Sequence, residues 1–308
     1  MPPCKASVHF DSERDIPPLD GKVILVTGGN NGLGKQCVLE YARHNPAEIW
    51  LAARNLDKAQ AAVDDIQAQL KVPVNIKLLE LDLSSLASVQ RAAEAFKAKA
   101  ARLDILMLNA GIMSTPPGLT TDGYEVQVAT NYLGHALFAK LLLPVLNHTG
   151  SMPGADVRVV MLSSDAHRWA PKGGIVFNTL KTTGDTLSAM ERYGQSKVME
   201  ILWVRKMARL HPRFTFASVH PGIVSTNLQA GATGVNAPLR IFMKVNKNFL
   251  STVDKGVRNQ LWASVSHDVV SGEYYVPVGE GGHGSTPAKD HMLMETLWTW
   301  TERELAHF

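Results

Sequence analysis

The chain has 308 residues, 45% of them hydrophobic and 19% charged. That mix is neither disordered nor fibrous, and a chain of this length buries a full core without disulfide or metal staples. A net charge of +3, with no run of Lys or Arg, gives no reason to expect a nucleic acid partner. Only Cys4 and Cys37 are present, which excludes a disulfide framework and favours a reducing, cytoplasmic setting. No apolar run reaches the roughly 18 residues of a membrane span. The opening MPPCKASVHF has no apolar core, so no signal peptide is expected.

Residues 1–20 are polar, end in PPLDG and read as a tail leading into the fold. KVILVT (22–27) is a short β-branched run that meets glycines at once, the profile of a buried parallel strand. The pattern then predicts helix at 32–44, strand at 48–53, helix at 55–70, strand at 74–82 and helix at about 84–101. Strand DILMLN (104–109), helix to about 147, strand VRVVMLSS (157–164), helix at about 188–211 and strand FTFASVH (214–220) follow. EYYVPVG (273–279) is a seventh strand candidate, and the last helix is expected over about 287–304. Length alone suggests two domains, but no composition break, linker or repeat divides the chain. Alternating strands and helices predict one doubly wound α/β domain over 21–308, with a mostly or wholly parallel seven-stranded sheet and helices on both faces.

In such a sheet ligands bind outside the carboxyl ends of the strands. Those ends carry TGGNNGLG (27–34), Arg54, Asp82, Asn109-Ala110-Gly111, Ser163-Ser164 and Pro221-Gly222. Turn chemistry accounts for the glycines and Pro221, but less well for an Arg, an Asp, an Asn and a Ser together. The turn holding Gly28, Asn30, Asn31, Gly32, Leu33 and Gly34 follows a strand and opens a helix. Its backbone suits the close approach of a pyrophosphate to a helix N-terminus. An NAD-binding fold places Asp or Glu about 20 residues past the glycines, on the ribose 2′-hydroxyl. Arg54 stands there instead, with Lys58 one turn on. A guanidinium holds a 2′-phosphate in bidentate fashion, so NADP(H) is the expected cofactor. The bland alternative is a solvated Arg at a helix start.

Tyr193 and Lys197 are spaced i,i+4 and share a helical face. A phenol near pKa 10 is a poor acid–base catalyst at neutral pH. A neighbouring ammonium favours the phenolate and is expected to lower that value. On an arbitrary helix the same pair is mere surface decoration.

Together these motifs resemble the short-chain dehydrogenase/reductase superfamily, classical type. The likeness covers about 21–280 and is highly specific in its joint order: TGxxxGxG (27–34), NAG (109–111), Ser164, YxxxK (193–197) and PG (221–222). AAR (52–54), LDLSS (81–85), NYLGHALF (131–138) and SSDAH (163–167) resemble its retinol-dehydrogenase-like and WW-domain-oxidoreductase-like branch. The resemblance implies a Rossmann-type domain and a catalytic set of Asn131, Ser164, Tyr193 and Lys197. Tyr193 would be the acid–base, and Lys197 would lower its pKa and bind the nicotinamide ribose. Ser164, rather than Ser163, would hold the substrate oxygen, and Asn131 would support a water-linked proton relay. Asp82, with Leu83 beside it, matches the residue contacting adenine; a helix-capping role is the alternative. Asn109, Ala110 and Gly111 would line the cofactor floor. Pro221 and Gly222 form the turn after the sixth strand, and Val224 and Thr226 match carboxamide contacts.

The segment between Ser164 and Tyr193 is long, and Trp169, Phe177 and Met190 are candidate walls of an apolar pocket. NAPLRIFMKVNKNFL (236–250) places Leu239, Phe242, Met243, Phe249 and Leu250 near one helical face. The resemblance makes about 226–252 a substrate lid; a core helix or a membrane-surface helix are the alternatives. These features point to an NADP(H)-dependent oxidoreductase acting on a bulky hydrophobic carbonyl or alcohol. No metal and no membrane contact are expected. Family members often form dimers or tetramers, so a homodimer or homotetramer is possible. A non-catalytic NADP(H) sensor or scaffold is the competing reading. An epimerase or dehydratase is disfavoured by the glycine spacing.

Overall fold

The computed structural model describes residues 7–224, 232–234 and 251–308. The expected lid (226–252), all but its last two residues and 232–234, lies outside them, as does Thr226. Seven strands form one sheet: β1 (Val23–Thr27), β2 (Glu48–Ala53), β3 (Ile76–Glu80), β4 (Ile105–Leu108), β5 (Arg158–Leu162), β6 (Thr215–Val219) and β7 (Glu273–Tyr275). Their spatial order is β3-β2-β1-β4-β5-β6-β7, and every neighbouring pair is parallel. The order reverses between β1 and β4, and that crevice is where an open α/β sheet receives its ligand.

Successive strand residues point to opposite faces, and both faces of this sheet are covered. Val23, Leu25, Trp50 and Leu106 pack beneath α3 (Leu86–Lys97), α4 (Gly134–Gly150), α5 (Ala189–Leu210) and α7 (His291–Glu304). Ile24, Val26, Ile49, Leu51 and Met107 pack beneath α1 (Gly32–Ala42), α2 (Leu56–Ala68) and α6 (Arg258–Val265). Burial on both faces explains why the strands read as unbroken apolar runs rather than alternating ones.

Polar caps set the helix starts that the periodicity left loose. Asn55 accepts the Lys58 amide at 2.8 Å at the start of α2. Ser188 and Glu191 form a reciprocal capping box at α5, which satisfies two otherwise unpaired N–H groups. The helix expected to run through to about 147 instead begins at Val126–Val128 and widens into a π-turn at Ala129–Leu133. α4 follows it, to Gly150. β7 stops at Tyr275, short of the expected 279, and Pro277, which lacks an N–H for a ladder, lies just beyond. The expected final helix is broken at Asp290, whose backbone is extended and whose side-chain Oδ1 caps α7 by accepting the Leu293 amide at 3.1 Å. Helices at Val253–Gly256 and α6 were not anticipated.

The leading segment packs onto the fold. Phe10, Ile16 and Leu19 are buried in the core on the side of α6, and the Val8 amide donates to the Val278 carbonyl at 2.9 Å. The long insertion after β5 forms two 3-10 turns, Asp165–Trp169 and Phe177–Thr179. Phe177 is a correction to the expected pocket wall. It packs against the core beside Trp300, ring centroids 6.5 Å apart, because the second turn folds back onto α7. Arg192 on α5 ties the end of the insertion down. It donates to the carbonyls of Gly184 (3.1 Å), Leu187 (2.8 Å) and Thr115 (2.7 Å) and pairs with buried Glu125 at 3.3 Å.

Candidate active site

A cleft of about 480 Å³ opens at the carboxyl ends of β1, β2 and β4. Its lining includes Gly28, Asn30, Asn31, Gly32, Leu33, Gly34, Arg54, Leu83, Asn109, Ala110 and Gly111, all expected from the sequence. Gly28 has φ +66°, a conformation that side chains disfavour. A methyl on Gly34 would collide with the Gly28 carbonyl oxygen and the Asn109 amide. The glycines thus keep a backbone cradle open at the N-terminus of α1, where free N–H groups and the helix dipole favour a phosphate. This cradle fits a dinucleotide pyrophosphate. At the outer end of the cleft, Arg54 and Lys58 are exposed, and neither pairs with a carboxylate among the described residues.

The cradle is joined to the catalytic helix by a chain of hydrogen bonds centred on Thr27. Its hydroxyl accepts the Asn109 amide at 2.9 Å and the Ala110 amide at 3.0 Å. It also contacts His135 Nε2 at 2.9 Å, while His135 Nδ1 meets the Asn131 carbonyl at 2.9 Å. A carbonyl only accepts, so Nδ1 carries the proton, and Nε2 accepts from Thr27. Burial pushes the His135 imidazole down to about 4, with Lys197 adding in the same direction, so the ring is neutral at ordinary pH. His135 was not singled out in the sequence. Its only signal there is the i,i+4 spacing from Asn131.

Asn131 sits in the π-turn with its side chain fully engaged. Oδ1 accepts the Ile112 amide at 2.8 Å, and Nδ2 donates to the Ile112 carbonyl and to Ser196 Oγ, each at 3.0 Å. The side chain therefore clamps the loop that carries Gly111. π-turns inside helices often mark functional positions. Ser196 in turn donates to the Tyr193 carbonyl at 2.7 Å.

Tyr193 and Lys197 come together on buried α5. The Lys197 ammonium stands 5.4 Å from the Tyr193 ring centroid. It donates to the Leu162 carbonyl at 3.0 Å and to Glu200 Oε1 at 2.8 Å. Leu162 lines the cleft, and a methyl on Gly111 would stand 3.9 Å from the ammonium, so the lysine adjoins the cleft floor. The expected lowering of the Tyr193 pKa is not the net result. Burial raises it, Lys197 pulls it down, Glu200 raises it and Ser164 lowers it, and the sum lies above the ordinary phenol value.

The two serines after β5 divide their tasks. Ser163 is buried, and its hydroxyl donates to the Lys197 carbonyl at 3.0 Å, so its single proton is spent on α5. Ser164 accepts the Ala166 amide at 3.2 Å, and its hydroxyl is a hydrogen-bond partner of the Tyr193 phenol.

Other expected residues stand apart. Asp82 accepts from the Ser84 amide at 2.9 Å and the Ser84 hydroxyl at 2.6 Å, and the cleft wall there is Leu81 and Leu83. Those contacts hold the turn before α3, but the helix cap that was the alternative role for Asp82 is supplied by Ser85, which accepts the Ser88 amide at 3.3 Å. Pro221, Gly222 and Val224 follow β6, outside the described cleft lining. Val224 is buried in the core near Leu33. Met190 Sδ accepts from Ser114 at 2.7 Å, whereas Trp169 is 58% exposed. The lining also includes Ile112, Met113, Thr115 and Thr130, which carried no sequence signal beyond their place after the NAG triplet or before Asn131.

Comparison with known proteins agrees with this geometry. The short chain dehydrogenase family matches residues 22–234. A short-chain dehydrogenase/reductase, drtF, of Aspergillus calidoustus is 39% identical, covering 94% of this chain and 95% of its own. Mouse retinol dehydrogenase 12 is 34% identical over 91% of this chain and 85% of its own. A structure of an uncharacterised Mycobacterium paratuberculosis protein superposes with a TM-score of 0.73 at 28% identity, covering 96% and 97% of the two chains. A short chain dehydrogenase from Shigella flexneri complexed with NADP shares the fold, with a TM-score of 0.63 at 19% identity over 85% of this chain and 99% of its own. The chain belongs to the short-chain dehydrogenase/reductase family, on its retinol-dehydrogenase-like branch, and is an oxidoreductase of the nicotinamide-dependent kind. Among the described residues no helix is long and apolar enough to cross a membrane.

Proposed function

We propose that the protein is an NADP(H)-dependent oxidoreductase that acts mainly as a reductase on the ketone or aldehyde of a bulky hydrophobic molecule. The observation that carries the cofactor choice is Arg54. It stands just past the carboxyl end of β2, on the cleft wall beside Lys58, where an NAD-selective fold has a carboxylate. Two cations there attract a 2′-phosphate, and a carboxylate would repel it. When bound, the nicotinamide supplies or takes up the hydride. Ser164 donates to the substrate oxygen as negative charge develops there, and Tyr193 delivers the proton. A cytoplasmic setting belongs to the same reading and rests on the chain's two cysteines.

The substrate class rests on two exposed apolar side chains that lie close in sequence to expected site residues. Trp169, five residues beyond Ser164, is 58% exposed, and Ile223, just past the Pro-Gly turn, is 70% exposed. The name of the retinol dehydrogenase relative denotes a substrate of this kind.

Two experiments test the reading. Arg54→Ala is expected to weaken NADPH binding by roughly 10- to 100-fold, the worth of a charge-assisted hydrogen bond, and to leave NADH binding unchanged. Fluorescence titration measures both, and an unchanged preference contradicts the assignment. Trp169→Ala is expected to raise KM for large hydrophobic carbonyls more than for small ones. Equal effects on both would remove the support for a bulky substrate.

A further inference from the structure

Glu200, on α5 three residues beyond Lys197, is fully buried, and its Oε1 accepts from the Lys197 ammonium at 2.8 Å. We propose that Glu200 is a positioning residue for the reduction: it holds Lys197 in place, as an ammonium, at the cleft floor beside Tyr193. This inference deepens the reductase reading above and rests on it.

The geometry carries the first half. An ammonium has three donors. Lys197 spends one on Glu200 and one on the Leu162 carbonyl at 3.0 Å. One remains for the cleft, next to the Gly111 backbone. Two fixed bonds on a flexible four-carbon stem set the direction of the third.

Electrostatics carry the second half. Burial opposes the charge on Lys197, but Glu200 first and Tyr193 next outweigh it, and the ammonium ends above its ordinary value. Without Glu200 the burial penalty stands unopposed by a full counter-charge. The same carboxylate raises the Tyr193 phenol directly. Burial pushes Glu200 itself up to about 7 even with Lys197 pulling it down.

The groups that face this pair from other elements leave the carboxylate to Lys197. From the end of β5, Ser163 lies close enough to favour the charged carboxylate, but its proton goes to the Lys197 carbonyl. Glu200 Oε2 is accordingly without a donor among the described residues. From β7, the buried Tyr274 hydroxyl feels the charge of Glu200 and also has no partner among them. From α4, His135 faces Lys197 as a neutral ring.

The test is the pH dependence of kcat for carbonyl reduction in wild type, Glu200→Gln and Glu200→Asp. Removing the charge lets Lys197 lose its proton earlier, and turnover falls once the ammonium is gone. The alkaline limb of the profile therefore moves to lower pH. Glu200→Gln is expected to bring that limb down by about one pH unit or more, with the loss of activity growing as pH rises and KM for the carbonyl unchanged. Glu200→Asp keeps the charge but sets it back by one methylene, and a smaller shift in the same direction is expected. An alkaline limb that stays in place while kcat falls equally at all pH values overturns the proposal and assigns Glu200 to folding alone. If the Gln variant fails to fold, an unshifted limb in Glu200→Asp overturns it equally. A wild-type protein that binds NADPH but reduces no carbonyl of a broad panel overturns the reductase reading instead. Glu200 is then judged by a nitrogen NMR titration of Lys197, in which an unchanged midpoint on mutation counts against it.

Discussion

Tyr193→Phe is expected to lower kcat for carbonyl reduction by about a thousandfold, the usual worth of a positioned general acid, while NADPH affinity stays within a few-fold. The substitution removes one oxygen from a residue that is 4% exposed, so the packing of α5 is kept. Lys197 keeps its bonds to Leu162 and Glu200, neither of which involves the phenol. The backbone carbonyl at 193 still accepts from Ser196, so the clamp on Asn131 survives. What is lost is the proton on the oxygen that faces Ser164. Steady-state turnover and NADPH titration on the same preparation separate the two effects. A variant that loses cofactor binding in proportion to turnover would place Tyr193 in the fold rather than in the reaction.

The second large effect is on stability. Arg192→Ala is expected to cost about 3–5 kcal/mol, because it strands the Glu125 carboxylate in the interior. The two side chains are 2% and 0% exposed and 3.3 Å apart. The three carbonyls that Arg192 satisfies, from Gly184, Leu187 and Thr115, lose their donor as well. For a chain of this size the midpoint of thermal unfolding should fall by about 6–10 °C. Glu125 supplies a check by pH. Burial holds its pKa above the ordinary 4.5 even with Arg192 and two backbone donors pulling it down. The folded state thus binds the proton more tightly than the unfolded chain. Stability contributed by this group falls as pH rises from about 4.5 through the raised folded value. Removing Arg192 raises that value further and widens the window. The defect of Arg192→Ala should therefore shrink as pH falls towards 4.5 and be largest at neutral pH. The double variant Arg192→Met, Glu125→Gln removes both charges and keeps an acceptor for the Val128 amide, so it should recover part of the loss. Calorimetry at two pH values measures all of this; a pH-independent defect would assign the cost to packing alone.

The parts of the fold that the sequence displays are those governed by local pattern. A run such as VILVT declares a strand because both of its faces are buried. The glycine turn declares a cradle because only glycine fits where Gly34 approaches the Gly28 carbonyl. Tyr193 and Lys197 declare themselves by helical spacing. The parts that stay hidden depend on contacts distant in sequence. α6 has no strong apolar stripe, yet its Asn259 donates to the His220 carbonyl at 2.7 Å and its Gln260 to Asn109 at 3.3 Å. The π-turn at Asn131 and the Thr27–His135 link cannot be read from spacing, since each needs β1 and β4 beside the helix. The direction of the Tyr193 shift was hidden for the same reason. The ammonium is visible in the motif, but the burial that outweighs it is a property of the assembled core. Glu200 stands at a helical spacing from Lys197, and nothing local distinguishes it from a solvated acidic residue until α5 is buried.

The account as a whole turns on a hydride passing between the cleft and a carbonyl carbon that Tyr193 protonates. Product formed with NADPH doubly deuterated at nicotinamide C4, from a panel of hydrophobic ketones and aldehydes, measures this directly by mass spectrometry. One deuterium at the former carbonyl carbon with wild type, and none above background with Tyr193→Phe, is the expected result. Wild-type protein that binds the labelled cofactor and leaves every carbonyl unlabelled, or a Phe variant that labels product at the wild-type rate, would contradict it.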